Sequence, residues 1–269
     1  PDGSQLEVVT RFSNNTWSLG FSEAFDVFAN SANNEHSVHI AIPNRYYEGV
    51  TGLRGSGKVR LDGHYARHAI AVTRQVDYFG GFTAAGGHSL YTARSFPREY
   101  WNRIAFVHEA VGGLVHNAIL ERAGSGFRER DGWNLLASAD EWAAPVHAQV
   151  GPDGAVWMLD WYSFIKQHNP TPPGFTTGAS GAYESPLRDK QRGRIYRLVW
   201  HAAPAYYPLA LSADRPAQLV QALRNDNMFW RMTAQRLLVD RGKTDVVDDL
   251  YKLIRNRSVD ETGLNAGAV

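Results

Sequence analysis

Cysteine is absent from the 269 residues of this chain, which excludes disulfides, thiolate metal sites, iron–sulfur clusters and the Cys-x-x-Cys-His attachment of a c-type haem. A surplus of charge is absent as well. The 28 Lys and Arg stand against 27 Asp and Glu, and a formal net charge of +1 provides no field to draw nucleic acid or an acidic surface. No apolar run approaches the roughly 18 residues needed to span a bilayer. The opening Pro1-Asp-Gly-Ser-Gln5 is polar, without the basic-then-apolar order of a secretion leader. The chain also lacks an initiating Met, starts in mid-repeat and stops at Ala266-Gly-Ala-Val269 inside what reads as a helical unit. The sequence therefore predicts an internal piece of a longer protein.

With 43% hydrophobic residues the chain can bury a sizeable core, and its many aromatics suit packed β faces or carbohydrate-facing loops equally well. The clearest pattern lies between residues 141 and 200. Val146 to Val150 alternates, Gly151-Pro-Asp-Gly154 fits a type I turn, Ala155 to Leu159 is apolar, and Arg194 to Val199 reads as a third strand. Upstream, Thr16 to Phe21, Phe25 to Ala29 and Ser37 to Ile42 follow the same order. His88 to Ala93, Arg103 to His108, Leu114 to Glu121 and Trp133 to Ser138 give four more short strands. Four short strands every 40 to 50 residues or so are the signature of propeller blades. The predicted fold is mainly β: an incomplete β-propeller over residues 1–203, whose missing blades lie outside this chain, followed by HEAT-like helical repeats over 204–269. In that second part Ser212 or Asp214 can cap a helix with Pro216 in its first turn. Trp230, Ala234, Leu237 and Leu238 mark a second helix ended by Gly242, and Val246 to Ile254 a third. Arg231, Arg236 and Arg241 read as solvated or stem-packed.

Two motifs fail on inspection. Gly52-Leu-Arg-Gly-Ser-Gly-Lys58 has phosphate-loop spacing, but Val59 replaces the metal-binding hydroxyl and no apolar strand precedes it. His64 and His68 stand four apart, yet no Glu follows His64 and Gly63 disfavours a helix start, so a surface pair is the better reading than zinc.

The polar loops are better candidates. Asn30, Asn33, Asn34 and Glu35 form an oxygen-rich loop suited to calcium, or simply a set of turn-makers. Asp140, Glu141, His147 and Asp160 cluster by repeat logic at the strand ends of the last unit, and Asp140, Glu141 and Asp160 extend the set of metal candidates. A His beside carboxylates can take the proton from a hydroxyl while hydride passes to a quinone. The plainer alternative pairs Asp160 with Arg194 between strands and leaves His147 a half-buried strand residue. Trp142, Trp157, Trp161 and Tyr162 are core, or a stacking platform for a sugar ring.

Val150-Gly-Pro-Asp-Gly-Ala-Val-Trp-Met-Leu-Asp-Trp161, with Arg188-Asp189, Gly193-Arg-Ile-Tyr-Arg197 and the preceding Ser138-Ala-Asp-Glu-Trp-Ala-Ala-Pro145, resembles a family of large secreted bacterial proteins named membrane-bound dehydrogenases. They are common in planctomycetes and their relatives, and their propeller is similar to that of quinoprotein glucose and sorbosone dehydrogenases. The resemblance implies a propeller followed by HEAT-type repeats, often with a c-type cytochrome domain. It implies a periplasmic or otherwise extracytoplasmic place, membrane association through segments outside this chain, and oxidation of a sugar or alcohol with pyrroloquinoline quinone and calcium. His147 is then the catalytic base, and Asn15 and Trp161 contact the cofactor. Asn15 matches the Asn of an Arg-Asn pair expected at the quinone, but Asn14 replaces the Arg, which removes the cation that pairs with the cofactor's carboxylates. The competing expectation is a non-catalytic scaffold or docking subunit of a larger assembly.

Overall fold

Strands form where the alternation predicts them in a computed structural model of the chain, which describes residues 3–12, 15–33, 35–53, 57–61, 66–73, 79–167, 187, 189 and 191–269. Among the described residues eleven strands fall into three antiparallel meanders. Sheet 1 holds β1 (Thr16–Phe21), β2 (Val27–Ser31), β3 (Val38–Ile40) and β4 (Lys58–Arg60) in that order. Sheet 2 holds β5 (Ala85–Leu90), β6 (Ile104–Glu109), β7 (Leu114–Ala123) and β8 (Gly126–Ala137), and sheet 3 holds β9 (Pro145–Val150), β10 (Val156–Asp160) and β11 (Arg194–Leu198). The expected turn joins β9 and β10, closed by Gly154 N–H to the Gly151 carbonyl at 3.0 Å. β4 lies in the stretch that carried the phosphate-loop spacing, and Lys58-Val-Arg60 pairs in it as an ordinary strand.

The sheets stack in chain order through two cores, and β6 shows how. Its residues point alternately to opposite faces. Ile104 and Phe106 join Tyr91, Val115, Ala148, Val156 and Met158 between sheets 2 and 3, while Ala105 and Val107 join Phe28, Leu90, Ala118 and Leu120 between sheets 1 and 2. Sheet 2 is thus covered on both sides. Sheet 3 buries Val156 and Met158 but leaves Trp157 and Leu159 exposed, and β1 of sheet 1 leaves Trp17, Leu19 and Phe21 exposed.

The first strands of the three sheets, β1, β5 and β9, lie side by side. Their backbones come too close for side chains: a Cβ on Gly20 would collide with the His88 carbonyl, and one on Gly86 would lie 2.9 Å from the Val146 carbonyl. At the same place β5 bulges between Gly87 and Ser89, with His88 held at φ 136°, a conformation costly for a residue bearing a Cβ. A buried polar network supports it. The His88 ring stacks on Phe28 and shares a 2.6 Å hydrogen bond with the Ser37 hydroxyl, which also bonds Glu129 of β8.

Beyond β11 come α1 (Pro216–Ala222), α2 (Met228–Arg241) and α3 (Val247–Arg255). Pro216 occupies the first turn of α1 as expected, but Arg215 is the capping position and neither Ser212 nor Asp214 caps the helix. Asn227 caps α2 by accepting the Phe229 N–H, and Gly242 ends it in the left-handed conformation that glycine tolerates best. Leu219, Ala222 and Ala234 form a small core of α1 and α2, while α3 buries none of its residues.

These helices are fastened to the sheets. The Met228 N–H reaches the Thr92 carbonyl at 2.9 Å, and the Trp230 indole and Asn227 amide reach the Pro152 and Gly151 carbonyls, each at 2.8 Å. Arg231, expected at the surface, is buried: its guanidinium donates to Glu23 at 2.6 Å, and Arg94 pairs with the same carboxylate at 2.7 Å. Glu23→Gln leaves the buried Arg231 without its anion and Arg94 with Asp260 alone, and should cost about 3 to 5 kcal/mol, read as a lower midpoint in urea denaturation; a change below ~1 kcal/mol would mean the cluster is not stabilising.

Candidate functional site

Most residues singled out in the sequence gather at one set of strand ends. Asn15 precedes β1, Asn30 lies near the end of β2 and Glu35 in the β2–β3 link, Asp140 and Glu141 precede β9, Asp160 ends β10 and Trp161 follows it. Asn34 and Asn14, like His64 and Arg188, lie outside the described residues. The oxygens are already engaged. Asn30 Oδ1 accepts the Ser18 N–H at 3.1 Å, and Glu35 pairs with Lys58 at 2.7 Å. Asp160 Oδ1 accepts the N–H groups of Ala144 (2.7 Å) and Tyr162 (2.8 Å), and Asp140 accepts the Trp142 N–H and the Tyr162 hydroxyl, both at 3.0 Å. Arg194 pairs with Asp160 in strand register, but its guanidinium lies 3.3 Å from the Tyr162 ring centre instead of on the carboxylate. Among the described residues no three His, Asp or Glu side chains group as a metal site. The calcium and quinone implied by the resemblance therefore find no converging oxygen cage or cationic clamp among them.

Sequence reasoning missed two charged groups at these ends. Glu109, fully buried at the end of β6, accepts N–H bonds from Thr83 (2.8 Å) and Ala84 (3.0 Å), and burial pushes its carboxyl up to about 7. Lys166 donates to the carbonyls of Ala143 (2.7 Å) and Val111 (3.3 Å), tying sheet 3 to the β6–β7 turn. Burial brings its ammonium down to about 8, against the pull of Asp160, Glu109, Glu141 and Asp140. The only sequence signal was a lone acid closing an apolar strand; for Lys166, in an irregular stretch, there was none.

His147 sits elsewhere. The pairing of His147 with Leu159 and of Gln149 with Trp157 puts these residues on the open face of sheet 3. His147 and Gln149 line an open cavity of about 710 Å³ between the first strands and α2. Leu19 and Phe21 form one side, Ser89 and Thr92 the middle, and Met228, Phe229, Met232 and Arg236 of α2 the end. Burial lowers the His147 imidazole, with a hydrogen bond to Gln149 working the other way, so the ring is neutral at pH 7 and able to accept a proton. Behind it His108 stacks at 6.3 Å with its Nδ1 on the Gly86 carbonyl, and burial brings that imidazole down to about 3.

Three antiparallel meanders with a helical extension define a mainly-β protein, and residues 1–202 match a family described as a domain of unknown function, DUF7133. The chain belongs to this family. The match ends before α1, so the helices lie outside it. No curated protein matches the chain. Among solved structures, a Thermus thermophilus protein described as an oxidoreductase (glucose dehydrogenase) is 17% identical, with a TM-score of 0.34, over 68% of this chain and 45% of that one. The chain thus spans under half the length of that structure, and a likeness at this level carries no functional argument.

His108 gives a pH test of the packing behind the cavity. Its depressed basicity means stability present above its ordinary value of 6.5 and lost as pH falls toward about 3, because only the unfolded chain takes the proton readily there. Glu109, raised from 4.5 to about 7, acts in the opposite sense between those values, so the comparison with a variant isolates His108. His108→Gln should lose less stability than the parent between pH 6.5 and 4 in thermal melts; parallel curves would show that the ring is hydrated.

Proposed function

We propose that the chain supplies three consecutive blades of a dehydrogenase-like β-propeller, with the helices capping one end of its central space and His147 receiving the hydroxyl of a sugar or alcohol. One observation carries this reading: the neutral imidazole of His147 lies on the wall of the cavity where β1, β5, β9 and α2 meet. Gln149, Ser89, Thr92 and Arg236 put further hydrogen-bonding groups on that wall, and Phe21, Phe229 and Met232 add apolar surface, the mixture that small-molecule sites use. The open faces of sheets 1 and 3 support the blade reading. Sheet 2 shows what a covered blade looks like, and further sheets outside this chain would cover Trp17 on one side and Trp157, Leu159 and Ile195 on the other, none of which lines the cavity.

In this reading a ring nitrogen of His147 accepts a hydrogen bond from the ligand hydroxyl and would take its proton only as the carbon's hydride passes to an acceptor. The fuller version places pyrroloquinoline quinone and calcium beside it and a cytochrome as electron acceptor in an extracytoplasmic compartment. That version requires ligands beyond those the described residues bring together. A non-catalytic scaffold is the second reading, favoured by the strand-end carboxylates already bound to backbone N–H groups.

Titration of the full-length protein with pyrroloquinoline quinone and calcium, followed by dye reduction with a panel of sugars and alcohols, separates the two. Saturable turnover that drops by about 10² to 10⁴ in His147→Ala, with unchanged thermal stability, is the expected result. Absence of saturable cofactor binding and of turnover favours the scaffold.

A further inference from the structure

We propose a second binding site, for a neutral saccharide, in the groove where Tyr206, Tyr207 and Trp230 converge. It lies among the β9–β10 turn, the extended segment before α1 and the α1–α2 link, encloses about 260 Å³, and shares no lining residue with the His147 cavity. Three aromatic rings line this small space, and Tyr207 is 80% exposed. Scattered exposed rings are ordinary, but three lining one small concavity offer ring faces of the kind that stack on the C–H face of a pyranose.

The Trp230 side of the groove is held in place before any ligand arrives. The Trp230 indole N–H is bound to the Pro152 carbonyl at 2.8 Å, and the Asn227 amide is bound to Gly151 and Pro152 at 2.8 and 3.2 Å. Asp153, in the same turn, accepts the Ala155 N–H and the Trp157 indole, each at 3.1 Å, and pairs with Arg197. Beside this fixed surface stand groups that a hydroxyl-bearing ligand uses. The exposed Asp226 carboxylate has no partner among the described residues, and Asn225 uses its side-chain oxygen on the Asn227 N–H, which leaves its amide hydrogens to donate. Acceptor and donor next to each other match vicinal hydroxyls.

Charge selects against other ligands. Arg94, the cation among the lining residues, is committed to Glu23 and Asp260, and Arg197 beside the groove is committed to Asp153, so an anion finds no free cation there and the unpaired formal charge is the Asp226 carboxylate. A proline-rich peptide also docks on Tyr and Trp, but it needs an extended groove rather than one this small.

Isothermal titration of the protein with glucose, galactose, xylose and short β-1,4-linked glucan and xylan oligosaccharides tests the site. Saturable binding of at least one probe is expected, weakened about five- to tenfold by Tyr207→Ala or Asp226→Ala at unchanged melting temperature. His147→Ala should leave this binding intact, which keeps the outcome separate from that of the central cavity. The proposal is overturned if no probe saturates at millimolar concentration, if binding is insensitive to both substitutions, or if a proline-rich peptide binds the groove and the sugars do not.

Discussion

Glu23 has no access to water, and the arrangement of sheets and helices turns on how its charge is met. Its two oxygens take the forked guanidinium of Arg94 at 2.7 and 3.2 Å, Arg231 of α2 adds a 2.6 Å bond, and the Glu23 N–H reaches the Asn102 side chain at 2.7 Å. A carboxylate enclosed this fully is tolerable only when every partner is in place, so the β1–β2 turn, the segment after β5 and α2 are placed together or not at all. Arg94 carries the network on to Asp260, beyond α3. Partial burial works against ionisation there, but hydrogen bonds from Arg94, Thr262 and Leu264 outweigh it and hold the carboxyl at about 2. The cavity beside His147 is a by-product of this node, because Arg231 and Asn227 position the helix that brings Met228, Phe229, Met232 and Arg236 to the ends of the first strands.

The polar residues divide into two kinds that look alike in a sequence. Those at the strand ends serve the backbone: Asp140, Asp153 and Asp160 each bind an N–H two residues ahead, the short-range bond that makes Asp a turn residue. A carboxylate used this way has little left for a metal. Those on the open face of sheet 3 are not spent on the backbone, and His147 belongs to them.

The meanders were legible because burial of one face imposes a period of two, visible in Val156 to Asp160 and in the Gly151–Gly154 turn. β4 was not, since three residues among glycines carry no period. β5 begins three residues before its expected start, because the Gly-Gly pair at 86 and 87 reads as loop yet is required where strands nearly touch. His147 could be placed on an open face from alternation alone. The wall opposite it could not, because nothing local to Arg231 announces a partner 208 residues away. Glu109 gave only a faint signal and Lys166 none for the same reason: their hydrogen-bond partners are distant in the chain.

The uncovered faces of sheets 1 and 3 bear on how the chain behaves by itself in solution. Trp17, Leu19 and Phe21 on one side and Trp157, Leu159 and Ile195 on the other present apolar surface in rows, and a formal net charge of +1 provides almost no mutual repulsion. Two copies approaching face to face would each hide such a row from water. Taken by itself the segment is therefore expected to self-associate, more so as concentration rises, and to be relieved by added charge rather than by added salt.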